Sequence, residues 1–463
     1  MNASDHYDVL VLGSGTGGKF VGWTFGGDGR RIAAVERRYV GGACPNIACL
    51  PSKNVIHSAK VASLFARHQE FGMDTGPLSV DMAGVYRRKR AMVDGLVAHH
   101  LDLYRAAGAE LIFGDGCFTG PRTLRVALRD GGVRTLTADR VFLNLGTRAA
   151  VPDIPGLRGA KPMTHVELLD LQRLPEHLIV LGGGYVGLEM AQAMRRFGSR
   201  VTMVERGPQL AAREDPDVAQ AILELFHDED IEVLLRTEIA KVQGTSGERV
   251  QLELKGEGSG RTLEGSDILA ALGRTPNTHG IGLDRAGVAV TAKGHIQVND
   301  RLETTAENVW AMGDCAGSPY FTHVSYDDFR IIQANLNGGN RSTRERLIPY
   351  CAFTDPPLAR VGLNESEARA AGIEYRVASM PMQDVLRTQT LSETRGFMKA
   401  LIDPQSGRIL GFTAFGPEAG ELMAVVQAVM LAGQPFTLLR DAVFTHPTMA
   451  EGFNFLFTGL PAA

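Results

Sequence analysis

Short hydrophobic runs closed by glycines mark two places in the chain. Val9-Leu10-Val11-Leu12 runs into Gly13-Ser14-Gly15-Thr16-Gly17-Gly18, and Leu178-Ile179-Val180-Leu181 runs into Gly182-Gly183-Gly184-Tyr185-Val186-Gly187. A brief all-apolar run reads as a strand buried on both faces. The G-x-G-x-x-G that follows reads as a tight turn into a helix. Each unit has a second apolar strand ending in an acid: residues 32–35 then Glu36, and residues 201–204 then Glu205. Gly13 and Gly182 are 169 residues apart, as are Glu36 and Glu205, so the unit is an internal repeat. Asn144-Leu145-Gly146-Thr147 and residues 152–156 read as a crossover out of the first unit, and Leu272-Gly273-Arg274-Thr275-Pro276-Asn277 as the exit from the second. Beyond Pro349, strand-like runs (396–402, 408–415) alternate with helical ones (365–371, 418–432), the pattern of a separate α+β domain. The expected fold class is α/β: two Rossmann-like dinucleotide-binding domains plus a C-terminal α+β domain. The expected limits are 1–150, 151–272, a return to the first domain over 273–346, and 347–463.

The glycine spacing carries chemistry. The first glycine of each set permits the tight turn, the second lets backbone approach a pyrophosphate, and the third lets helix pack on strand. Gly13, Gly15 and Gly18, and then Gly182, Gly184 and Gly187, occupy those places. Free N–H groups at the helix start face phosphate oxygens. Glu36 and Glu205, each 23 residues after its first glycine, are placed to accept ribose hydroxyls. Two such sites suggest two dinucleotides, and a flavin with a nicotinamide is the natural pair because hydride passes between the rings. Glu205 repels a 2′-phosphate and favours NADH, while the adjacent Arg206 leaves NADPH open.

Composition narrows the class. Glycine is 54 of 463 residues, against a usual share of about 7%, and serves loops and close backbone contacts. The net charge of −4 excludes a broad nucleic-acid footprint. No apolar run reaches the roughly 18 residues of a membrane helix; the best candidate, 422–433, is interrupted by Gln427. Residues 1–6 lack the features of a signal peptide. The expectation is a soluble, cytoplasmic protein without nucleic-acid or membrane partners. Five cysteines do not make a disulfide scaffold, whereas a close pair in a reducing compartment points to redox or metal chemistry.

That pair is Cys44 and Cys49, in Gly41-Gly42-Ala43-Cys44-Pro45-Asn46-Ile47-Ala48-Cys49-Leu50-Pro51-Ser52-Lys53. Five residues of regular helix rise about 7.5 Å, beyond the roughly 7 Å Cα separation a disulfide spans. Pro45 and Pro51 argue for a distorted first turn that lets the sulfurs meet, with a helix continuing over 52–67. A helix N-terminus also favours a thiolate. Two buried structural thiols are the competing reading of these residues taken alone.

These motifs, with Ala311-Met312-Gly313-Asp314, Phe353-Thr354-Asp355-Pro356-Pro357 and His446-Pro447-Thr448 to Glu451, run through nearly the whole chain. Together they resemble the class I pyridine nucleotide–disulfide oxidoreductases, which include glutathione reductase, dihydrolipoamide dehydrogenase and mercuric reductase. The resemblance implies an FAD-dependent NAD(P)H reductase that passes electrons through a redox-active Cys44–Cys49 disulfide to a small disulfide, a metal ion or another oxidant. It implies that Gly13, Gly15, Gly18, Glu36, Gly146 and Asp314 belong to the FAD site. Gly182, Gly184, Tyr185, Gly187, Glu205 and Gly273 belong to the nicotinamide side, with Tyr185 covering the pocket until cofactor enters. Cys49 matches the thiol against the flavin and Cys44 the outer thiol that meets substrate. Lys53 matches the lysine near flavin N5, with Glu189 as its partner. His446 matches the general acid/base oriented by Glu451, reaching the cysteine pair of the other subunit. A homodimer follows, with 347–463 as dimerisation domain and 421–432 as interface helix. The cysteine box departs from the family's usual form at Ala43, Pro45 and Ala48, and Ala48 questions an unchanged backbone path between the sulfurs.

Within that family, the tail 453–463 lacks the cysteines usual in mercuric reductases, and Phe444 stands where lipoamide dehydrogenases typically carry a second histidine. Residues 320–330 and 441–447 look most like the mercuric-reductase-like branch that includes the reactive-chlorine-resistance flavoproteins. A lipoamide dehydrogenase subunit and a flavoprotein redox sensor are the alternative readings. His323 is expected near the cysteine pair, either as a second proton carrier or soft-metal ligand beside Cys44, or as a packing residue.

Overall fold

The computed structural model describes residues 5–460. The expectations drawn from residues 1–6 and from the tail fall partly outside them.

Both repeats form as strand, glycine turn and helix. Strand Asp5–Leu12 leads into helix Thr16–Gly27 and strand Ile32–Glu36; strand His177–Leu181 leads into helix Tyr185–Phe197 and strand Arg200–Val204. Strand Asp5–Leu12 lies between parallel neighbours Ile32–Glu36 and Val133–Leu143. Strand Glu110–Gly120 extends the sheet beyond Ile32–Glu36, and Val309–Ala311 extends it beyond Val133–Leu143, both in parallel. The chain therefore returns to its first sheet after completing the second unit. That unit is a parallel sheet in the order Asp267–Ala270, His177–Leu181, Arg200–Val204, Ile231–Leu234. Strand His177–Leu181 is buried along its length and strand Asp5–Leu12 from Val9 onward, as expected where helices cover both faces.

The glycines are dictated by space. A Cβ on Gly18 would come within 2.1 Å of the Gly13 carbonyl oxygen, and one on Gly187 within 2.1 Å of the Gly182 oxygen. Helix and strand could not then approach. Gly13 and Gly182 also have φ of 95° and 103°, a region costly for side-chain-bearing residues.

Residues after Pro349 form a five-stranded antiparallel sheet, ordered Tyr350–Ala352, Leu358–Gly362, Ile409–Phe415, Phe397–Ile402, Arg376–Pro381. Helix Ala419–Leu431 packs its Leu422, Met423, Val426 and Val429 into the core of this layer. Among the described residues no helix is long and apolar enough to cross a membrane.

Candidate active site

The cysteine segment folds as one short helical turn, Ala43–Asn46, followed by a separate helix, Cys49–Ala66. The helix starts three residues earlier than the prolines suggested. Pro51 falls in the first turn, where a missing N–H costs nothing because those groups have no partner inside the helix. Ala48 carries the break between the two pieces at φ −132° and ψ −103°, outside both the helical and the extended regions. Both thiols are free, and each bears on the ionisation of the other.

Helical spacing then builds the site. Lys53 is four residues after Cys49 on one helix, and Glu189 four residues after Tyr185 on another, so each pair shares a face. Lys53 Nζ donates to both Glu189 oxygens, at 2.9 and 2.7 Å. Glu189 is buried and also accepts the Phe353 N–H at 2.9 Å, while the Phe353 ring lies 4.5 Å from Nζ. The ammonium is thus held by a carboxylate, an amide-anchored neighbour and a ring face.

The two sulfurs are electrostatically unequal. The hydrogen bond from Cys44 lowers the Cys49 pKa to about 6; the Thr322 hydroxyl, 3.3 Å from Sγ, and the Lys53 charge act in the same direction against burial. Cys44 moves the opposite way, raised by that shared bond and by burial. Of the two, the surroundings favour the charged form at Cys49 and the neutral form at Cys44.

Lys19 and His100 border the outer thiol, and sequence reasoning missed both. Lys19 Nζ lies 3.1 Å from His100 Nε2 and over the Trp23 ring at 5.3 Å. The buried His100 ring packs against Gly41 and stays neutral, its pKa lowered to about 4 by burial and by Lys19. The Lys19 charge opposes the upward shift of Cys44. Lys19→Met should therefore slow alkylation of Cys44 in the reduced enzyme by about tenfold at neutral pH, the change that a shift of one pKa unit produces. Iodoacetamide labelling followed by peptide mapping reads it.

His323 does not reach the sulfurs through any hydrogen bond among the described residues. Its ring stacks on Phe321 at 5.2 Å, and Nε2 lies 2.8 Å from the Pro349 carbonyl oxygen. This geometry is that of a packing residue; its neighbour Thr322 makes the contact with Cys49. No cluster of three or more metal-ligating side chains occurs among the described residues.

His446 and Glu451 form the expected pair, with Nδ1 3.0 Å from both carboxylate oxygens. The imidazole is largely exposed, and among the described residues no hydrogen bond joins it to Cys44 or Cys49 within one chain.

The two acids of the repeat are fixed by backbone. Glu36 accepts the N–H groups of Ser14, Arg38 and Tyr39 and the Ser14 hydroxyl. Glu205 accepts from Gly183 at 2.7 Å and Gly207 at 2.6 Å. A Cβ on Gly146, Gly184 or Gly273 would meet no protein atom within 4 Å. Backbone there borders open space, beside the side-chain-uncapped start of helix Tyr185–Phe197. Asp314 accepts the Thr147 hydroxyl at 2.5 Å, and burial raises its pKa. Open glycine turns, bare helix N–H groups and anchored carboxylates are the donor and acceptor set that two dinucleotides need.

The family model for pyridine nucleotide-disulphide oxidoreductases matches residues 7–328, and that for their dimerisation domain matches residues 348–456. The chain belongs to this family. A probable pyridine nucleotide-disulfide oxidoreductase of Escherichia coli, RclA, is 34% identical over 458 residues, covering 98% of this chain and 99% of the relative. A mercuric reductase of Streptomyces lividans is 32% identical, covering 98% and 96%. The solved Cu(II) complex of the HOCl-induced flavoprotein disulfide reductase RclA from Escherichia coli superposes with a TM-score of 0.91 at 33% identity, over 99% and 100% of the two chains. The Mycobacterium tuberculosis LpdA structure, at 24% identity and a TM-score of 0.88, shares the fold. This oxidoreductase is accordingly an FAD-containing, NAD(P)H-dependent flavoprotein of the disulfide reductase type, and it carries the family's dimerisation domain.

Proposed function

We propose that Cys44 and Cys49 form the redox centre, and that the enzyme delivers two electrons from NADH to a small disulfide or a soft metal ion. The observation that carries this reading is the asymmetric thiol pair beside Lys53–Glu189, with the inner thiol depressed to about 6. FAD, when bound, supplies the ring that accepts hydride and passes the electron pair to the Cys44–Cys49 disulfide. Gly13, Gly15, Gly18, Glu36, Gly146 and Asp314 would hold it, within a domain of residues 1–150 and 273–346. Gly182, Gly184, Gly187, Glu205 and Gly273 would hold the nicotinamide cofactor on the 151–272 domain, with Tyr185 as cover.

The residues of the chain then perform thiol–disulfide exchange. His446 takes the proton of the Cys44 thiol; the resulting thiolate attacks one sulfur of the acceptor disulfide, forming a mixed disulfide and releasing one thiolate, which takes that proton back from His446. Cys49 attacks the Cys44 sulfur, closes the internal disulfide and releases the second thiolate. The Lys53 ammonium stabilises the Cys49 thiolate. His446 reaches this centre from a second copy of the chain. Leu431, Leu438, Val443 and Phe455 stand exposed on the same domain, apolar side chains that self-association would cover. The mercuric reductases and the copper complex of the Escherichia coli relative support a soft metal ion as the second acceptor class.

An anaerobic acceptor screen with small disulfides, quinones, Cu(II) and Hg(II) tests this function. Turnover with a disulfide or metal ion that disappears in Cys44→Ser is expected. Turnover confined to quinones and retained in Cys44→Ser would overturn it. A second outcome concerns the nicotinamide: Glu205, held by two backbone N–H groups, should give a kcat/KM for NADH at least tenfold above NADPH. Steady-state kinetics with both nucleotides measures this, and a higher value for NADPH would contradict the role of Glu205.

A further inference from the structure

Tyr185, at the first turn of the second fingerprint helix, is not a free ring. Its hydroxyl donates to Glu214 Oε1 at 2.5 Å, and the same oxygen accepts the Tyr350 hydroxyl at 2.9 Å. The Glu214 side chain is wholly buried, and its other oxygen lies 3.5 Å from Arg360 Nε. Arg360, itself buried, is anchored by Glu367 at 2.8 and 3.0 Å. Glu214 therefore has fixed supports on strands Tyr350–Ala352 and Leu358–Gly362 that do not depend on Tyr185. Its own segment is tied to the glycine turn, because Ala211 N–H donates to the Gly183 carbonyl and Glu214 N–H to the Ala211 carbonyl. The Tyr185 and Tyr350 rings are 5.9 Å apart, and Tyr350 stacks on Phe321, the residue before Thr322. Burial and the Glu214 charge raise the Tyr185 pKa, so the phenol stays a donor at neutral pH.

We propose that Glu214 is a positioning residue that latches Tyr185 closed and so sets the fraction of enzyme open to the nicotinamide nucleotide. The proposal rests on the reading of Tyr185 as the cover of that pocket. Only one hydroxyl must let go for the ring to move, while Tyr350 and Arg360 keep the carboxylate in place for its return. The cover closes against a carboxylate of its own domain, which Tyr350 and Arg360 of the dimerisation sheet brace from outside.

A protein whose binding-competent state is partly populated binds its ligand more weakly by that fraction. Removing the latch alone should then tighten binding. Tyr185→Phe keeps the ring and deletes the donor. In the FAD-loaded enzyme, its Kd for NAD+, measured by calorimetry, should fall about tenfold, the scale of a hydrogen bond to a charged group. KM for NADH should fall by the same factor. Tyr185→Ala separates the two levels of the argument. If Tyr185→Ala shifts the Kd and Tyr185→Phe matches wild type, the latch is refuted and the cover stands. If Tyr185→Ala also matches wild type, the cover reading fails, and the latch with it.

Discussion

Cys44→Ser enzyme, purified with its flavin and never exposed to reductant, is expected to show a long-wavelength absorption band and no turnover. The band comes from a thiolate donating electron density to the oxidised ring. Cys44 is the partner that would otherwise lock Cys49 in a disulfide, so its removal leaves Cys49 free. The new hydroxyl can donate to Cys49 in place of the Cys44 thiol, and Thr322 at 3.3 Å and Lys53 one turn along the helix also favour the charged form. Cys49→Ser should lack the band under every condition and be equally inactive. In the reduced wild-type enzyme the depressed pKa of about 6 sets the pH window. A thiol with a lowered pKa is ionised above that value, so the band should persist from pH 8 to 7 and fade as pH falls through about 6. A band that follows Cys44 instead would reverse the two roles.

His446→Gln should cut the acceptor half-reaction by about 10²–10⁴-fold, the usual contribution of a positioned acid–base group. Reduction of the flavin by NADH should keep its wild-type rate, because that half-reaction needs no proton from His446. Glu451 holds Nδ1 with both oxygens, which leaves Nε2 to work, so Glu451→Gln should cost less than removal of the ring itself. Mixed dimers place the histidine. Cys44→Ser and His446→Gln homodimers are both inactive on this account. A heterodimer of the two carries one complete site if the histidine acts across subunits, and should recover up to half of the wild-type activity per dimer. No recovery would put His446 to work within its own chain.

Local features of the sequence were legible because their chemistry is local. The two glycine turns need only a strand before, a helix after and an acid 23 residues on, and each acid does cap its own turn through Ser14 or Gly183. Lys53 follows Cys49 by one helical turn, a spacing visible in the sequence. The helix start was misplaced because Pro51 reads as a breaker until its first-turn position is known. Long-range partners were out of reach. Thr322 meets Cys49 across 273 positions, and Tyr350 meets Glu214 across 136. Neither contact has a spacing signature; the one available hint was that Thr322 adjoins His323, which the sequence already singled out. Lys19 follows the last fingerprint glycine directly and could be suspected of facing a charged group, but its partner His100 comes from another helix 81 residues away.

The central claim is that electrons reach the acceptor through the Cys44–Cys49 pair. Anaerobic titration of the oxidised FAD-loaded enzyme with one equivalent of NADH per subunit tests it most directly, with alkylation and peptide mass mapping after mixing. Two new thiols per subunit, at Cys44 and Cys49, are expected while most of the flavin absorbance survives. Loss of the flavin absorbance with Cys44 and Cys49 still joined would contradict the account.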